Sequence, residues 1–446
     1  MLLRAYSAVL SGRARLADAL AVRWFRLGAV DLLVPIGAGI VVWSAADQFG
    51  RQAGPVPFWL AWVILAVPAA PVTWFAFGQR GRGNGLAVCL LGQVLALWIV
   101  YDLLYISDGR HLYDLEVYLG SAQRWLDGGL PYMTGPLTSW PDGPRNDFFL
   151  YPPPLLPFFA VLARLPDAFV SVVWTATMVG CSFAAFRLLG LSRTWSAAML
   201  AFPPVFIGFE SGNVASLTFL LFALATRAGG ALVVDTLFKI QSGVPMLWLV
   251  RERRFRALAV GIAVVAAVVL LTLPLVGLDA WRQWWDGLGY RAASQPNVPA
   301  LFGYSYSQSL PPVPYAAATV ALVGLALAFS GRRGLAALGL VSIFASPALW
   351  PHGFAFALPA VFLLERDVAV LVLLGAGSIG RNMWLLFFIG WLAVLAARRD
   401  PARRDAARRD PARRSAADGL HPLGSHFGHN PEANRSAPAS PARNHG

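Results

Sequence analysis

The sequence predicts an all-α polytopic membrane protein of about 12–14 transmembrane helices. Three observations lead there. Hydrophobic residues make up 57% of the 446 positions and charged residues 13%, against roughly 45–50% and 25% in soluble domains. Apolar runs of about 20 residues, the length that crosses the hydrocarbon layer, recur along the chain. The basic residues gather in particular segments between those runs, as the positive-inside rule requires. Such a composition excludes a soluble enzyme, a disordered protein and a disulfide-stapled secreted domain. Cys89 and Cys181 both lie in apolar runs and suit neither a disulfide framework nor a metal site. The net charge of +13 is read as membrane orientation rather than nucleic-acid binding.

Taken in order, residues 1–27 carry Arg4, Arg13, Arg15, Arg23 and Arg26 against one acid, Asp18. They are expected on the cytoplasmic side, with no cleavable signal peptide. Region 28–85 holds two added spans, 28–46 and 57–77. The main membrane domain is 86–397. Its clear spans are 86–105, 169–189, 257–276 and 313–331. Shorter ones are 195–210, 213–227, 334–350, 353–365, 368–380 and 382–397. Two segments are ambiguous: 151–165 opens on three prolines, and 228–250 carries Asp235 and Lys239 at its centre. Either both span, or the first dips without crossing and the second re-enters from the cytoplasm. Both arrangements put the termini and the arginines of 251–256 and 332–333 inside. Both put loops 106–150 and 277–312 and the 349–353 turn outside. Residues 398–446, with tandem DPARR repeats, read as a disordered basic cytoplasmic tail. Its arginines serve either as a solvated orientation signal or as contacts to anionic lipid.

The outer loop 106–150 is where chemistry concentrates, with six acidic residues against three arginines. Residues 114–127 place Leu115, Tyr118, Leu119, Ala122, Trp125 and Leu126 on one face, which predicts a helix lying in the interface. Asp114 stands at its start, as a cap for free N–H groups or as a functional carboxylate. On the same predicted side, SPALWPHGF holds His352, the one histidine outside the tail and the first loop. Trp350 beside it is an interfacial anchor or a sugar-stacking platform. Lys239 is the only lysine among 36 basic residues. A cation inside an apolar segment either pairs with Asp235 four positions earlier or meets an anionic group such as phosphate.

Asp114-Leu-Glu-Val-Tyr118, Gly129-Leu-Pro-Tyr132 and Tyr151-Pro-Pro153 resemble the first-loop signature of glycosyltransferase family 87. The resemblance continues through Gly212-Asn213, where the family usually has Gly-Gln, then Lys239, Ser346-Pro347, Trp350 and His352. It extends over roughly 86–397, and departs at Asn213, at the acid Asp235 and in the two added spans. It implies a GT-C type membrane enzyme that moves a sugar, with inversion, from a polyprenyl-phosphate carrier to a cell-envelope glycolipid or polysaccharide. The site would face outward across the plasma membrane. By the same resemblance Asp114 is the general base, His352 a second catalytic group and Lys239 the ligand of the donor phosphate. Glu116, Tyr118, Tyr132, Tyr151, Asn213 and Trp350 are implied to bind substrate, Glu116 as a supporting acid rather than a metal ligand. A monophosphate donor requires no metal or other cofactor. Mannose is the expected sugar and arabinofuranose the alternative. A lipid or sugar transporter would instead line a path with Lys239 and Asp235, and would show inverted repeats, which the sequence lacks. A non-catalytic assembly protein would leave the acidic outer loop unexplained.

Overall fold

The computed structural model describes residues 35–44, 85–107, 111–132, 149–294, 304–308, 310–364, 374–375, 377–378 and 380–397. The expected segment 1–27, span 57–77 and tail 398–446 lie outside the described residues, as do most of 368–380 and parts of loop 106–150.

Among the described residues the protein is helical and without strands. Helix α1, Pro35–Ser44, precedes α2, Gly85–Ser107. Then come α3, Tyr113–Leu126, and α4, Leu156–Leu162, entered through a 3₁₀ turn at Pro153–Leu155. Helix α5 spans Asp167–Leu188. Three shorter helices follow: α6, Arg193–Ala198, α7, Pro203–Glu210, and α8, Ala215–Leu224. The chain continues through α9, Ala231–Asp235, and α10, Gly243–Arg251. Helix α11, Phe255–Ser294, is broken at Gly277. Helices α12, Pro312–Leu327, and α13, Gly331–Phe344, lead to a 3₁₀ turn at Pro351–Ala357. Helices α14, Leu358–Val361, and α15, Trp384–Ala396, complete the set.

Two stretches, α5 and Phe255–Leu288 of α11, are long and apolar enough to cross a membrane. Leu270, Leu271 and Leu275 of α11 are all exposed. A wide exposed apolar face of this kind suits lipid better than water. The buried core has two parts. The larger joins α2, α7, α8, α13 and α15 around Trp98, Trp195, Phe202 and Phe222. The smaller lies beneath α3 and gathers Leu115, Tyr118, Phe149, Phe159 and Trp174.

The helix expected over 114–127 forms as α3, with Leu115, Tyr118, Leu119 and Ala122 buried as the pattern requires. The ambiguous segments are both broken. Segment 151–165 yields only a proline-led turn and the seven residues of α4. Segment 228–250 divides into α9 and α10 around a turn that holds Lys239. Neither piece, at about 1.5 Å per residue, approaches the roughly 30 Å of a full crossing. The stretch 195–210 is likewise divided, because Pro203 and Pro204 lack the N–H groups that would continue a helix and instead begin α7. One outer segment differs from expectation. Residues 277–312 read as a loop, yet α11 resumes beyond Gly277 and runs to Ser294. Ala280 and Trp284 bury against the smaller core while Trp285 stays exposed, so this arm is amphipathic rather than irregular.

Candidate active site

The site is organised by the turn between α7 and α8, residues 211–214. Gly212 adopts φ +72, and a Cβ there would lie 2.9 Å from the Leu115 Cβ. Only glycine meets both conditions, so the turn and the first turn of α3 touch backbone to side chain. Two main-chain hydrogen bonds lock them. Leu112 N–H donates to the Glu210 carbonyl and Asp114 N–H to the Ser211 carbonyl, each at 2.8 Å. The residue capping α3 is therefore Leu112, in the left-handed region at φ 55, a conformation that costs a non-glycine residue about 1–2 kcal/mol. Its side chain has no oxygen with which to cap. The end of α7 supplies that service, and the capping alternative for Asp114 loses its purpose.

The Asp114 carboxylate meets Asn213. Asn213 Nδ2 donates to Asp114 Oδ2 at 2.9 Å and to the Tyr151 hydroxyl at 3.3 Å. Asn213 Oδ1 accepts from Ala215 N–H at 2.9 Å, which fixes the orientation of the amide. Tyr118 donates to the Tyr151 hydroxyl at 2.8 Å, and Tyr132 donates to the Tyr151 carbonyl at 2.8 Å. Trp174 Nε1 holds the Gly212 carbonyl at 2.8 Å. Tyr118 packs edge-on against Tyr151 with centroids 4.8 Å apart. Burial, then the Tyr151 hydroxyl and the Asp114 charge, push the Tyr118 phenol well above its ordinary pKa. It is a hydrogen-bond donor throughout the physiological range.

Lys239 and His352 form the other half. Lys239 Nζ lies 3.2 Å from His352 Nε2, although 113 residues separate them. Burial, then the Lys239 charge, push His352 well below its ordinary pKa, so the ring is neutral. Nε2 accepts from the ammonium group and the ring proton sits on Nδ1. No hydrogen bond joins Lys239 to Asp235, the alternative partner. Helix α9 ends at Asp235, whose carboxylate is fully buried.

The residues read from the sequence are thus brought together unequally. Asp114, Asn213, Tyr118, Tyr132 and Tyr151 share one hydrogen-bonded network. Lys239 and His352 meet each other. Trp350 begins the turn that carries His352, its ring more than a third exposed. Glu116, two positions beyond Asp114, points away from it. Glu116 lines a separate pocket of about 150 Å³ with His111, Asp167 and Ser171. Among the described residues no three His, Cys, Asp or Glu side chains group as a metal site.

Two members of the site were missed. Trp174 carries no sequence signal beyond an indole in an apolar helix. Glu210 does carry one, an acid closing the apolar run FIGFE, where an ionisable group is a functional candidate by default. Chemically the assembly offers an oriented carboxylate, a cation and a neutral imidazole, delivered by four segments far apart in sequence.

Comparison with known proteins agrees with the motifs. The model of glycosyltransferase family 87 matches residues 149–364, a stretch containing Tyr151, Asn213, Lys239, Trp350 and His352. The chain is 24% identical, over 76% of its length and 84% of the relative's, to a protein of Mycobacterium tuberculosis. That protein is named a polyprenol-phosphate-mannose-dependent alpha-(1-2)-phosphatidylinositol mannoside mannosyltransferase. It is 27% identical, over 71% of its length and 81% of the relative's, to a protein of Mycolicibacterium smegmatis. The second is named a polyprenol-phosphate-mannose-dependent alpha-(1-2)-phosphatidylinositol pentamannoside mannosyltransferase. No solved structure matches the chain significantly.

Proposed function

We propose that this chain, a glycosyltransferase related to family 87, transfers mannose from a polyprenyl-phosphate carrier to a phosphatidylinositol-mannoside-like glycolipid. Asp114 serves as general base. The observations that support this reading are the meeting of Asp114 with Asn213 and that of Lys239 with His352, each between segments about a hundred residues apart.

The chemistry follows from that placement. The acceptor hydroxyl attacks the anomeric carbon as Asp114 removes its proton. Asn213 Nδ2 occupies one carboxylate oxygen and so aims the other lone pairs. The bond from the anomeric carbon to the phosphate oxygen breaks, and its electron pair leaves on the phosphate. Lys239 meets that developing charge, where a fixed cation acts most strongly. His352 holds the ammonium group in position through Nε2. Attack on the face opposite the phosphate inverts the anomeric centre. Tyr118, Tyr132 and Tyr151 form the wall behind the base. The reaction runs on the extracytoplasmic side of the plasma membrane, in a multi-pass protein with both termini inside. The polyprenyl chain stays in lipid. The positive-inside distribution of arginine supports this orientation.

Purified full-length protein incubated with radiolabelled polyprenyl-phosphate mannose, polyprenyl-phosphate arabinofuranose and envelope glycolipid acceptors tests the proposal. Label should move from the mannosyl donor to the glycolipid. Transfer only from the arabinofuranosyl donor would replace the sugar, and transfer from neither would reject the donor class.

A further inference from the structure

We propose that Glu210 receives the proton that Asp114 takes from the acceptor and passes it through His111 to the aqueous side. The proposal rests on the assignment of Asp114 as base. Glu210 ends α7 at only 3% exposure, and neither carboxylate oxygen has a hydrogen-bond partner among the described residues. A buried carboxylate left unsatisfied calls for a reason.

Its surroundings supply one. The carbonyls of Glu210 and Ser211 hold the N–H groups of Leu112 and Asp114, each at 2.8 Å. The two acids therefore leave stretches of chain that are bonded to each other. On its other side, Glu210 Oε1 lies 3.6 Å from His111 Nδ1, a side chain 58% exposed. Base, buried acid and exposed imidazole are thus graded from the site to water. Two neighbouring carboxylates repel when both are charged, which favours sharing a proton between them. An imidazole can accept a proton at one ring nitrogen and donate from the other.

The proton count closes. The acceptor O–H bond breaks as the new bond to the anomeric carbon forms, and the proton moves to the Asp114 carboxylate. It passes to the Glu210 carboxylate, returning Asp114 to its charged form. His111 then takes it from Glu210 and releases it to water. The donor's phosphate leaves with its own electron pair, and no further reactant is needed.

Glu210→Gln keeps the shape and the main-chain bonds but cannot carry a proton, so a purely structural role predicts wild-type behaviour. With the full chain in lipid nanodiscs, polyprenyl-phosphate mannose as donor and a phosphatidylinositol mannoside as acceptor, Glu210→Gln should lower kcat by at least about tenfold. The donor KM should stay within about twofold. His111→Ala alters an exposed side chain and should lower kcat several-fold, with added imidazole restoring it. A Glu210→Gln protein with wild-type kcat overturns the relay. So does a His111→Ala protein that is unaffected or is not rescued by imidazole. If Glu210→Gln does not fold, His111→Ala with imidazole decides. An active Asp114→Asn protein would instead remove the base assignment. An inactive Asp114→Asn beside a wild-type Glu210→Gln removes the relay alone.

Discussion

Two regions of this molecule handle charge in opposite ways. Around residues 248–256 and 327–333, charged side chains at the helix ends are met by partners. Arg251 Nε donates to the Leu327 carbonyl at 2.8 Å. Arg333 donates to the carbonyls of Val394 and Leu395. Glu252 Oε1 accepts from Gly331 N–H at 2.9 Å. Arg254 lies over the Trp248 ring and Arg333 over that of Phe329. These arginines fasten the ends of α10, α12 and α15, where carbonyls have no helical partner. Around residues 111–118, 210–214, 239 and 352 the pattern reverses. The main chain of Leu112 and Asp114 is tied to Glu210 and Ser211, yet among the described residues the Glu210 carboxylate has no hydrogen bond, and Lys239 meets an imidazole. Charge that is satisfied builds the frame; charge held short of satisfaction is available to a substrate.

This contrast is open to attack, and the largest effect should come at the base. Asp114→Asn preserves size and the contact with Asn213 but cannot accept a proton. Turnover should fall by about 10²–10⁴-fold with an unchanged thermal transition. If the purified variant retains more than about a tenth of wild-type turnover, the base lies elsewhere.

Next in size is Lys239→Ala, expected to reduce donor use by about tenfold or more, the weight of one charged contact to a leaving group. The double variant Asp235→Leu/Lys239→Met separates a donor role from a balancing one. A buried pair can be exchanged for apolar residues at little loss, whereas half a pair cannot. Since the two groups do not bond, activity should stay low, and recovery in a transfer assay would make Lys239 structural.

Gly212→Ala acts on the frame of the same region. A left-handed φ and a 2.9 Å encounter with Leu115 should together cost about 1–3 kcal/mol of stability. Turnover should also fall as α3 shifts, read as a lowered melting temperature together with a lowered kcat. The smallest effect belongs to the arginine region. Arg251→Gln should cost about 0.5–1.5 kcal/mol, the net worth of one hydrogen bond, with turnover unchanged. A loss of activity there would erase the distinction between the two regions.

Much of this was legible from residue order. The run 114–127 became α3 nearly residue for residue, because apolar side chains at helical spacing have one way to bury together. Lys239 stood out as the only lysine, and His352 as a histidine outside the tail and first loop. The arm 278–294 was not legible as helix. Its tryptophans gain only by packing on a core assembled from other segments, as when Trp284 Nε1 donates to the Leu150 carbonyl at 3.0 Å. Nor could the link between Lys239 and Asp235 be judged. The partner that Lys239 takes, His352, lies 113 residues away in the sequence.

By itself the sequence determined the helical class, the apolar segments, the orientation signals and the residue types able to carry out transfer. Those follow from hydropathy and charge, which act locally and survive any arrangement of the helices. Tertiary structure alone decided that the end of α7 meets the first turn of α3, that Asn213 grips the Asp114 carboxylate, and that Lys239 faces His352. It also left Glu210 buried beside Asp114. Each depends on segments about a hundred residues apart meeting within hydrogen-bond distance. Local pattern cannot specify such meetings, because they are fixed by how whole helices pack.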